Sequence, residues 1–230
     1  MTLKGYPPGE LVPVSAIRKV IAQKMTYSLQ NAPQFTLCRE VAVGALVSLR
    51  QSLRAEAAIT YTDLLVKAVA LALRQHRMLN ATWTDQGIYV FQDINIGVSV
   101  ATPEGVITPV VKGADRRPLQ EISSEVKALS EKARTHTLKL QEITGGTFTI
   151  TNMGMYQIDT FTPVLNPPQA AILGVGRIKE RPTVADGALT SPPVMDLSLT
   201  IDHRVLDGAL GAEFLRSLAG LLESPETLVS

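Results

Sequence analysis

The sequence contains little cysteine and no excess of charge of either sign. Cys38 is the only cysteine in 230 residues, which excludes an internal disulfide and any cysteine-based metal cluster. This usage predicts a reducing, cytoplasmic compartment. The 22 basic and 21 acidic residues leave a net charge of +1, so nothing global favours nucleic acid or an anionic membrane as a partner. Any anionic ligand must therefore be bound by a local group of side chains.

The sequence also lacks long hydrophobic runs. No stretch reaches the roughly 20 apolar residues that a membrane-spanning helix needs, and the first ten residues lack the apolar core of a secretion signal. Hydrophobic residues still make up 45% of the chain, which is enough for a sizeable core. These features exclude a disordered chain and predict a folded protein without a membrane partner.

The chain is interpreted as one domain with a short leading segment. Residues 5–9 are rich in proline and glycine, so we predict that residues 1–10 are a linker remnant or an N-terminal arm. Residues 11–230 contain no repeat, no low-complexity segment and no shift in composition. We therefore assign them to a single domain.

Hydrophobic periodicity indicates a mixture of helices and strands. Alternation with a period of two predicts strands, and apolar positions three or four residues apart predict helices. Thr62 and Asp63 are expected to cap the most apolar helix. Strands and helices do not alternate regularly, which favours an α+β fold with a mixed β-sheet. One predicted helix starts at residue 15, and the others cover 44–57, 64–74, 119–134 and 209–216. The single predicted strands cover 35–43, 147–151, 170–176 and 194–200, and residues 87–111 are predicted to be a sheet region that contains a turn.

The most informative stretch is residues 201–208, Ile-Asp-His-Arg-Val-Leu-Asp-Gly. His203, one of only three histidines, lies there between a predicted strand and a predicted helix, where a side chain can be aimed. Asp202, Arg204 and Asp207 surround it, which makes His203 a candidate base. The alternative is a hydrogen-bonded histidine at the end of a strand. Asp207 is also suited to be the N-cap of the helix that follows.

The other motifs argue against several kinds of site. His76 and His136 lie in polar helical stretches without a second ligand at metal spacing, so we expect both on the surface and no metal site. Gly174 and Gly176 resemble half of a dinucleotide-binding fingerprint but are better interpreted as the end of a strand. The sequence contains neither a phosphate-binding P-loop nor a Gly-x-Ser-x-Gly turn. Nucleotide hydrolysis and α/β-hydrolase chemistry therefore lose support.

The predicted strand that follows a pair of glycines ends at a residue with a hydroxyl group. Thr151 stands at that end, and it either presents a hydroxyl for chemistry or begins a simple turn. In the second case, Asn152 and Gly154 are expected to adopt unusual backbone angles. Residues 166–169, Asn-Pro-Pro-Gln, are expected to be a rigid approach to the next strand.

Five segments together resemble the catalytic domain of the dihydrolipoamide acyltransferases, the E2 components of 2-oxo acid dehydrogenase complexes. The similarity runs from about residue 11 to about residue 228, and ordered, spaced agreement of this kind is far more specific than any single motif. The segments that carry it are residues 12–25, 102–111, 145–155, 166–176 and 202–208.

The resemblance implies a fold like that of chloramphenicol acetyltransferase, a two-layer sandwich of helices and a mixed sheet. It also implies a homotrimer whose active sites lie between subunits. In such a site His203 is the general base, the Thr151 hydroxyl of the neighbouring subunit stabilises the oxyanion, and Asp207 supports the site. The further candidates for supporting roles are Arg18, as a partner of Asp207, Asn152 and Gly208.

The resemblance further implies that an acyl group moves between coenzyme A, as a substrate, and a lipoyl group, with no metal involved. The Asp-Lys-Ala motif of a lipoyl domain is missing here, so a separate domain is expected to supply that group. Residues 11–230 are then a catalytic domain excised from a longer chain. The implied partners are the lipoyl domain and, indirectly, the E1 and E3 components. Residues 224–230 are less apolar than the family's usual tail, which leaves open whether trimers form a larger cage.

The residues fit this chemistry. A thiol has a pKa of about 8.5 and a histidine about 6.5, so a neutral imidazole can take the proton as sulfur attacks a thioester. Thr151 differs from the family's usual serine by one methyl group and keeps the hydroxyl donor. No acyl-enzyme is required, so Cys38 is expected to pack in the core. Ile201 stands where the family often has an aromatic residue, so the resemblance does not define that part of the channel wall.

The acyl group and the class of protein have alternatives. Residues 152–159 are more like acetyl-transferring than succinyl-transferring members, so we favour an acetyltransferase. One alternative is a non-catalytic cage or scaffold protein of the same fold, against which His203, Thr151 and Asp207 together argue. The other is a free-standing acetyltransferase of the chloramphenicol type, against which the Asp-His-Arg and Asn-Pro-Pro-Gln segments argue.

Overall fold

Helices and strands follow one another irregularly in the computed structural model, which describes residues 4–5, 7–53, 59–185 and 187–229. The helices are α1 (Ala16–Asn31), α2 (Gly44–Leu53), α3 (Tyr61–Gln75), α4 (Leu119–Arg134), α5 (Leu140–Ile143) and α6 (Gly208–Glu223). The strands are β1 (Gln34–Ala42), β2 (Ala81–Thr84), β3 (Gly87–Val90), β4 (Ile96–Val98), β5 (Val100–Thr102), β6 (Gly105–Ile107), β7 (Val110–Val111), β8 (Phe148–Asn152), β9 (Ala171–Glu180), β10 (Thr183–Ala185), β11 (Ala188–Thr190) and β12 (Pro193–Asp202).

Six of these strands form one sheet in the order β1-β12-β9-β8-β4-β7. β8 runs parallel to both of its neighbours, β9 and β4. The remaining pairs in this sheet are antiparallel. Three two-stranded sheets, β2–β3, β5–β6 and β10–β11, stand beside it. The mixed sheet and the helices confirm the predicted α+β class.

One face of the six-stranded sheet is apolar and lies under α6. Leu197, Leu199 and Ile201 alternate along β12 and are fully buried. α6 approaches this face closely, since a Cβ atom added at Gly211 would lie 2.6 Å from Leu37. Each large aliphatic side chain buried in this way stabilises the fold by about 1.5–3 kcal/mol. This packing anchors the C-terminal end of β12.

α3 begins earlier than the pattern of apolar residues predicts. Thr60 is its N-cap and accepts a hydrogen bond from the Asp63 N–H, while the Asp63 carboxylate accepts one from the Thr60 N–H at 2.8 Å. The predicted cap at Thr62 and Asp63 was wrong, because this reciprocal arrangement satisfies two backbone N–H groups at once. The buried Asp63 also accepts a hydrogen bond from Ser123, which ties α3 to α4.

The opposite face of the sheet carries hydroxyl groups. Ser198 and Thr200 of β12 are almost fully buried there. Thr200 exchanges a hydrogen bond with Thr36 of β1 at 2.8 Å, and Ser198 exchanges one with Thr160 at 3.0 Å. The chain around Thr160 therefore covers this face as an extended segment.

Gly174 and Gly176 lie inside β9, under that segment. A Cβ atom at Gly174 would lie 3.0 Å from Phe161, and one at Gly176 would lie 1.7 Å from the Asp159 carbonyl oxygen. The two glycines therefore let another stretch of backbone approach the strand closely. Their interpretation as a strand end was wrong, because close packing rather than a turn requires them.

Cys38 is exposed, so its predicted place in the core was wrong. The alternation of β1 turns Leu37 towards α6 and Cys38 towards the hydroxyl face, where its sulfur lies 3.6 Å from the Ser198 oxygen. The helix predicted over 44–57 ends at Leu53, and its residues 54–57 lie outside the described residues.

Three further features concern the N-terminal segment, membrane-spanning helices and metal ligands. Residues 7–15 form neither helix nor strand. None of the helices that the structure describes is long and apolar enough to cross a membrane. Within the same residues, no three or more His, Cys, Asp or Glu side chains converge as metal ligands would.

Candidate active site

His203 is the first residue after β12. Its backbone N–H donates to the Pro33 carbonyl at 2.9 Å, and its ring packs edge-on against Phe35 with centroids 5.7 Å apart. The side chain is exposed, and among the described residues neither ring nitrogen has a hydrogen-bond partner. The imidazole is thus placed by backbone and ring contacts, while both nitrogens remain available to a substrate.

Asp202 and Arg204 form an ion pair on either side of His203. The carboxylate of Asp202 is buried and accepts hydrogen bonds from the Arg204 backbone N–H at 3.0 Å and from its guanidinium at 2.6 and 3.0 Å. The same hydrogen bonding raises the pKa of Arg204. The Asp202 carbonyl also accepts from the N–H groups of Val205 and Leu206, so the chain turns tightly directly after the histidine.

Trp83 of β2 supports this pair from a distant part of the sequence. The guanidinium carbon of Arg204 lies 5.4 Å from the centre of the indole ring, within the range of a cation–π interaction. β2 is fixed beside the site because Ala81 accepts a hydrogen bond from the Ala170 N–H, and Ala170 accepts one from the Asp202 N–H. Sequence reasoning missed Trp83, and its being the only tryptophan was the one available signal.

Asp207 caps α6, which confirms the N-cap interpretation. Its exposed carboxylate accepts a hydrogen bond from the Leu210 N–H at 2.9 Å. Gly208 begins the helix, and a Cβ atom there would be 3.5 Å from the Phe35 ring that also contacts His203. The cap therefore fixes the chain a few residues beyond the imidazole.

Arg18 and Asp207 are not brought together within the described chain. Arg18 is exposed in the first turn of α1, where its backbone N–H donates to the N-cap Ser15. A helix rises about 1.5 Å per residue, so Arg18 lies roughly 20 Å from the C-terminal end of α1. That end is the one that leads to Pro33 and His203.

Thr151 lies near the C-terminal end of β8, where a hydroxyl was expected. Asn152 still belongs to the strand, and its side-chain amide oxygen (Oδ1) accepts a hydrogen bond from the Gly154 backbone N–H at 2.9 Å. The positive φ of 62° falls on Gln157 rather than on Asn152 or Gly154. The unusual backbone angles predicted for Asn152 and Gly154 were therefore wrong. The chain after β8 forms a short 3-10 helix, and the residue with a positive φ is the one that ends this helix.

Thr149, two residues before Thr151, fixes the position of β8. Its buried hydroxyl donates to the Gln169 side-chain oxygen at 2.6 Å and accepts from the Asn166 side-chain nitrogen at 3.1 Å. The Asn-Pro-Pro-Gln segment thus does more than stiffen the approach to β9. Sequence reasoning missed this, because Asn166 and Gln169 meet Thr149 only once β8 and β9 are paired.

Thr151 and His203 are far apart within one chain. Thr151 stands level with Gly174 of β9, and Gly174 lies opposite Ser198 of β12. His203 follows Ser198 by five residues, roughly 16 Å along the strand, and β8 and β12 are two strand spacings, roughly 10 Å, apart. A base and an oxyanion donor must each lie about 3 Å from the reacting groups. One chain alone cannot bring both to the same substrate.

The other two histidines lie away from this region. His76 ends α3, with its Nε2 atom 2.8 Å from the Ser217 hydroxyl and its ring edge-on to Phe214. Burial lowers the pKa of His76. The expected surface position was wrong for His76, because α6 packs over this end of α3, whereas His136 is exposed as expected.

The fold defines a structural class. The mixed sheet with helices on its apolar face is similar in architecture to chloramphenicol acetyltransferase. A solved chloramphenicol acetyltransferase matches at a TM-score of 0.55 and 14% identity, covering 87% of this chain and 94% of that chain, which establishes the fold alone.

The chain belongs to the family described as 2-oxoacid dehydrogenases acyltransferase (catalytic domain), which matches residues 7–230. This finding confirms the resemblance inferred from the sequence.

Curated relatives have names within this family. The chain is 44% identical over 223 residues to the dihydrolipoyllysine-residue acetyltransferase component of the pyruvate dehydrogenase complex, mitochondrial, of Dictyostelium discoideum, covering 95% of this chain and 35% of the relative. It is 39% identical over 225 residues to the corresponding component of Rickettsia bellii, covering 95% and 54%. The chain thus spans about a third to a half of the length of these relatives.

Solved structures are similar throughout. The dihydrolipoamide acetyltransferase of Azotobacter vinelandii matches at a TM-score of 0.93 and 30% identity, covering 99% of this chain and 96% of that chain. Its catalytic mechanism has been investigated at a serine, at a histidine 52 residues later and at an asparagine four residues after that. A cubic core of the pyruvate dehydrogenase multienzyme complex matches at 0.94 and 30%, with the same coverage.

Proposed function

We propose that this chain is the catalytic domain of an acyltransferase that moves an acetyl group between coenzyme A and a dihydrolipoyl group. One observation carries the proposal. Thr151, His203 and Asp207 stand at the same intervals, 52 and four residues, as the serine, histidine and asparagine investigated in the Azotobacter enzyme. The curated relatives are named acetyltransferases of the pyruvate dehydrogenase complex, which favours the acetyl group.

His203 acts as the general base in this mechanism. Its neutral imidazole takes the proton of the attacking thiol while the sulfur forms a bond to the carbonyl carbon of the thioester. The tetrahedral intermediate then collapses, the original carbon–sulfur bond breaks, and the departing thiolate recovers the proton from the imidazolium. Transfer is direct, so no acyl-enzyme forms and Cys38 takes no part.

Thr151 donates a hydrogen bond to the oxyanion of that intermediate. One such donor contributes about two to three decades in rate. Because the strand register separates Thr151 from His203 in one chain, we propose that the hydroxyl comes from a second copy. A homotrimer with active sites between subunits meets this requirement. The similar cubic core favours assembly of such trimers into a larger cage.

The supporting residues act through the backbone. Asp207 fixes the start of α6 directly after the turn that carries His203, and Gly208 begins that helix. Asn152 closes the turn that follows β8. The supporting role of Arg18 stays a prediction, since no contact among the described residues connects it to the other site residues.

The proposed partners follow from the substrates. A lipoyl domain delivers the dihydrolipoyl group, and the E1 and E3 components act indirectly through it. Coenzyme A and the lipoyl group are substrates rather than resident cofactors. The cytoplasmic compartment stays a prediction, because the Dictyostelium relative is named as mitochondrial.

An assay of acetyl transfer from acetyl-CoA to dihydrolipoamide tests the proposal. The release of coenzyme A is the quantity measured. We expect turnover by the wild type, loss of at least about two decades in His203→Ala, and normal turnover in His136→Ala, which alters an exposed histidine. An assembled chain without turnover would favour the scaffold alternative. Faster acetylation of a hydroxyl acceptor such as chloramphenicol would favour the free-standing acetyltransferase.

A further inference from the structure

The polar side chains that flank His203 bind one another rather than the imidazole. We propose that Asp202, Arg204 and Trp83 form a clamp that fixes the direction of the His203 side chain. The three are positioning residues, since we argue that they act through His203. The proposal rests on the acyl-transfer function proposed above.

The clamp holds the backbone on both sides of the histidine. The hydrogen bond from the Arg204 N–H to the Asp202 carboxylate spans His203 and closes an Asx turn around it. On the other side, the His203 N–H is bound to the Pro33 carbonyl. A rotation of this residue relative to the sheet would break at least one of these bonds.

The ion pair is needed because the Asp202 side chain is only 6% exposed. A buried carboxylate needs a counter-ion, and the guanidinium of Arg204 approaches both of its oxygens at 2.6–3.2 Å. The carboxylate therefore stays in the one position from which it can also accept the Arg204 backbone N–H.

Trp83 keeps the guanidinium on the carboxylate. Arginine has many rotamers, and Arg204 borders a cleft of about 90 Å³ that is also lined by Tyr27, Asn31 and Pro168. Without a partner on its other face, the guanidinium could swing into this space. The indole ring at 5.4 Å removes that freedom.

His203 needs such a clamp because no described side chain reaches its ring nitrogens. In a catalytic triad, a carboxylate hydrogen-bonded to the imidazole orients the ring. Within the part of the chain that the structure describes, the one aromatic ring that contacts the imidazole is Phe35, which limits the position of the imidazole but does not fix the backbone that carries it. The clamp supplies that second constraint.

Trp83→Leu and Trp83→Phe test the clamp in the acyl-transfer assay, with Tyr89→Leu as control. Tyr89 is exposed on β3 and contacts Phe91 rather than Arg204. We expect Trp83→Leu to lower kcat about 10- to 100-fold with KM within about twofold for both substrates, because a misdirected base is lost from the chemical step. Trp83→Phe, which keeps an aromatic face, and Tyr89→Leu should remain near the wild type. A raised KM with normal kcat would overturn the proposal, since the cleft would then bind substrate.

The double variant Asp202→Asn/Arg204→Gln removes the ion pair without leaving an unpaired buried charge. The matched control is Asp93→Asn/Arg116→Gln, which removes an exposed pair of the same type. We expect the first to lower kcat at least as much as Trp83→Leu and the second to leave it unchanged. Equal activity in the two double variants would contradict the clamp.

A spectroscopic measurement separates failure of the clamp from failure of the proposed function. The imidazole NMR signals of His203, assigned with His203→Ala, should broaden or split in Trp83→Leu and stay sharp in Trp83→Phe and Tyr89→Leu. An unchanged signal in Trp83→Leu would overturn the clamp. If the signal changes as expected but the wild type transfers no acetyl group, the clamp stands and the proposed function fails.

Discussion

Thr151 and His203 lie on different strands of the same sheet, and the pairing of β8, β9 and β12 separates them by on the order of 15–20 Å in one chain. Two side chains this far apart cannot act on one carbonyl group. The proposed catalytic chemistry therefore requires that copies of the chain associate.

Mixed oligomers test this dependence. His203→Ala and Thr151→Ala chains are each expected to be nearly inactive, but unfolding them together and refolding the mixture should restore activity. At random mixing of a cyclic oligomer, about a quarter of the intersubunit sites combine an intact His203 with an intact Thr151. Recovery of activity to that level, measured against refolded wild type, would support a shared site. A mixture no more active than its components would place both groups in one chain.

The hydroxyl at position 151 should be required, whereas its methyl group should not. Thr151→Ala is expected to lower kcat by about two to three decades, because the oxyanion loses a preorganised donor. Thr151→Ser keeps the donor and should remain close to the wild type. Steady-state kinetics with acetyl-CoA and dihydrolipoamide provide the measurement. Similar values for the two variants would remove Thr151 from the mechanism.

Gln169→Leu should destabilise the fold and impair the site. The change leaves the buried Thr149 hydroxyl without its acceptor, which lowers the free energy of unfolding by about 1–3 kcal/mol. It also loosens β8 beside Thr151, so kcat should fall. Urea unfolding checks the first effect, with the exposed Gln86→Leu as control. Equal unfolding free energies for the two variants would show that this hydrogen bond does not hold the strand.

His76 should make the fold less stable in mild acid. Burial lowers its pKa, opposed by Glu213 and assisted by Arg216, so the unfolded chain binds this proton more readily than the folded chain. The stabilising contribution is complete above the unfolded value of 6.5 and is lost as the pH falls towards the lower folded value. The advantage of wild type over His76→Gln in urea unfolding should therefore shrink between pH 7.5 and pH 5. Parallel pH curves would contradict this.

Elements with a long, regular pattern were predictable from the sequence. The polar helix expected over 119–134 has these bounds in the structure, because its apolar stripe alone decides which face packs. The cap of α3 and the exposure of Cys38 were not predictable in this way. The cap depends on a reciprocal pair of hydrogen bonds between Thr60 and Asp63. The exposure of Cys38 depends on which face of the edge strand β1 is covered by another element.

The sequence by itself determined the family, the α+β class and the position of His203 between a strand and a helix, since these follow from local pattern and spacing. Only the tertiary structure decided that Trp83 lies over Arg204, that Asn166 and Gln169 hold Thr149, and that Thr151 lies far from His203. Those relationships depend on strand register, which the packing of the whole sheet sets at once.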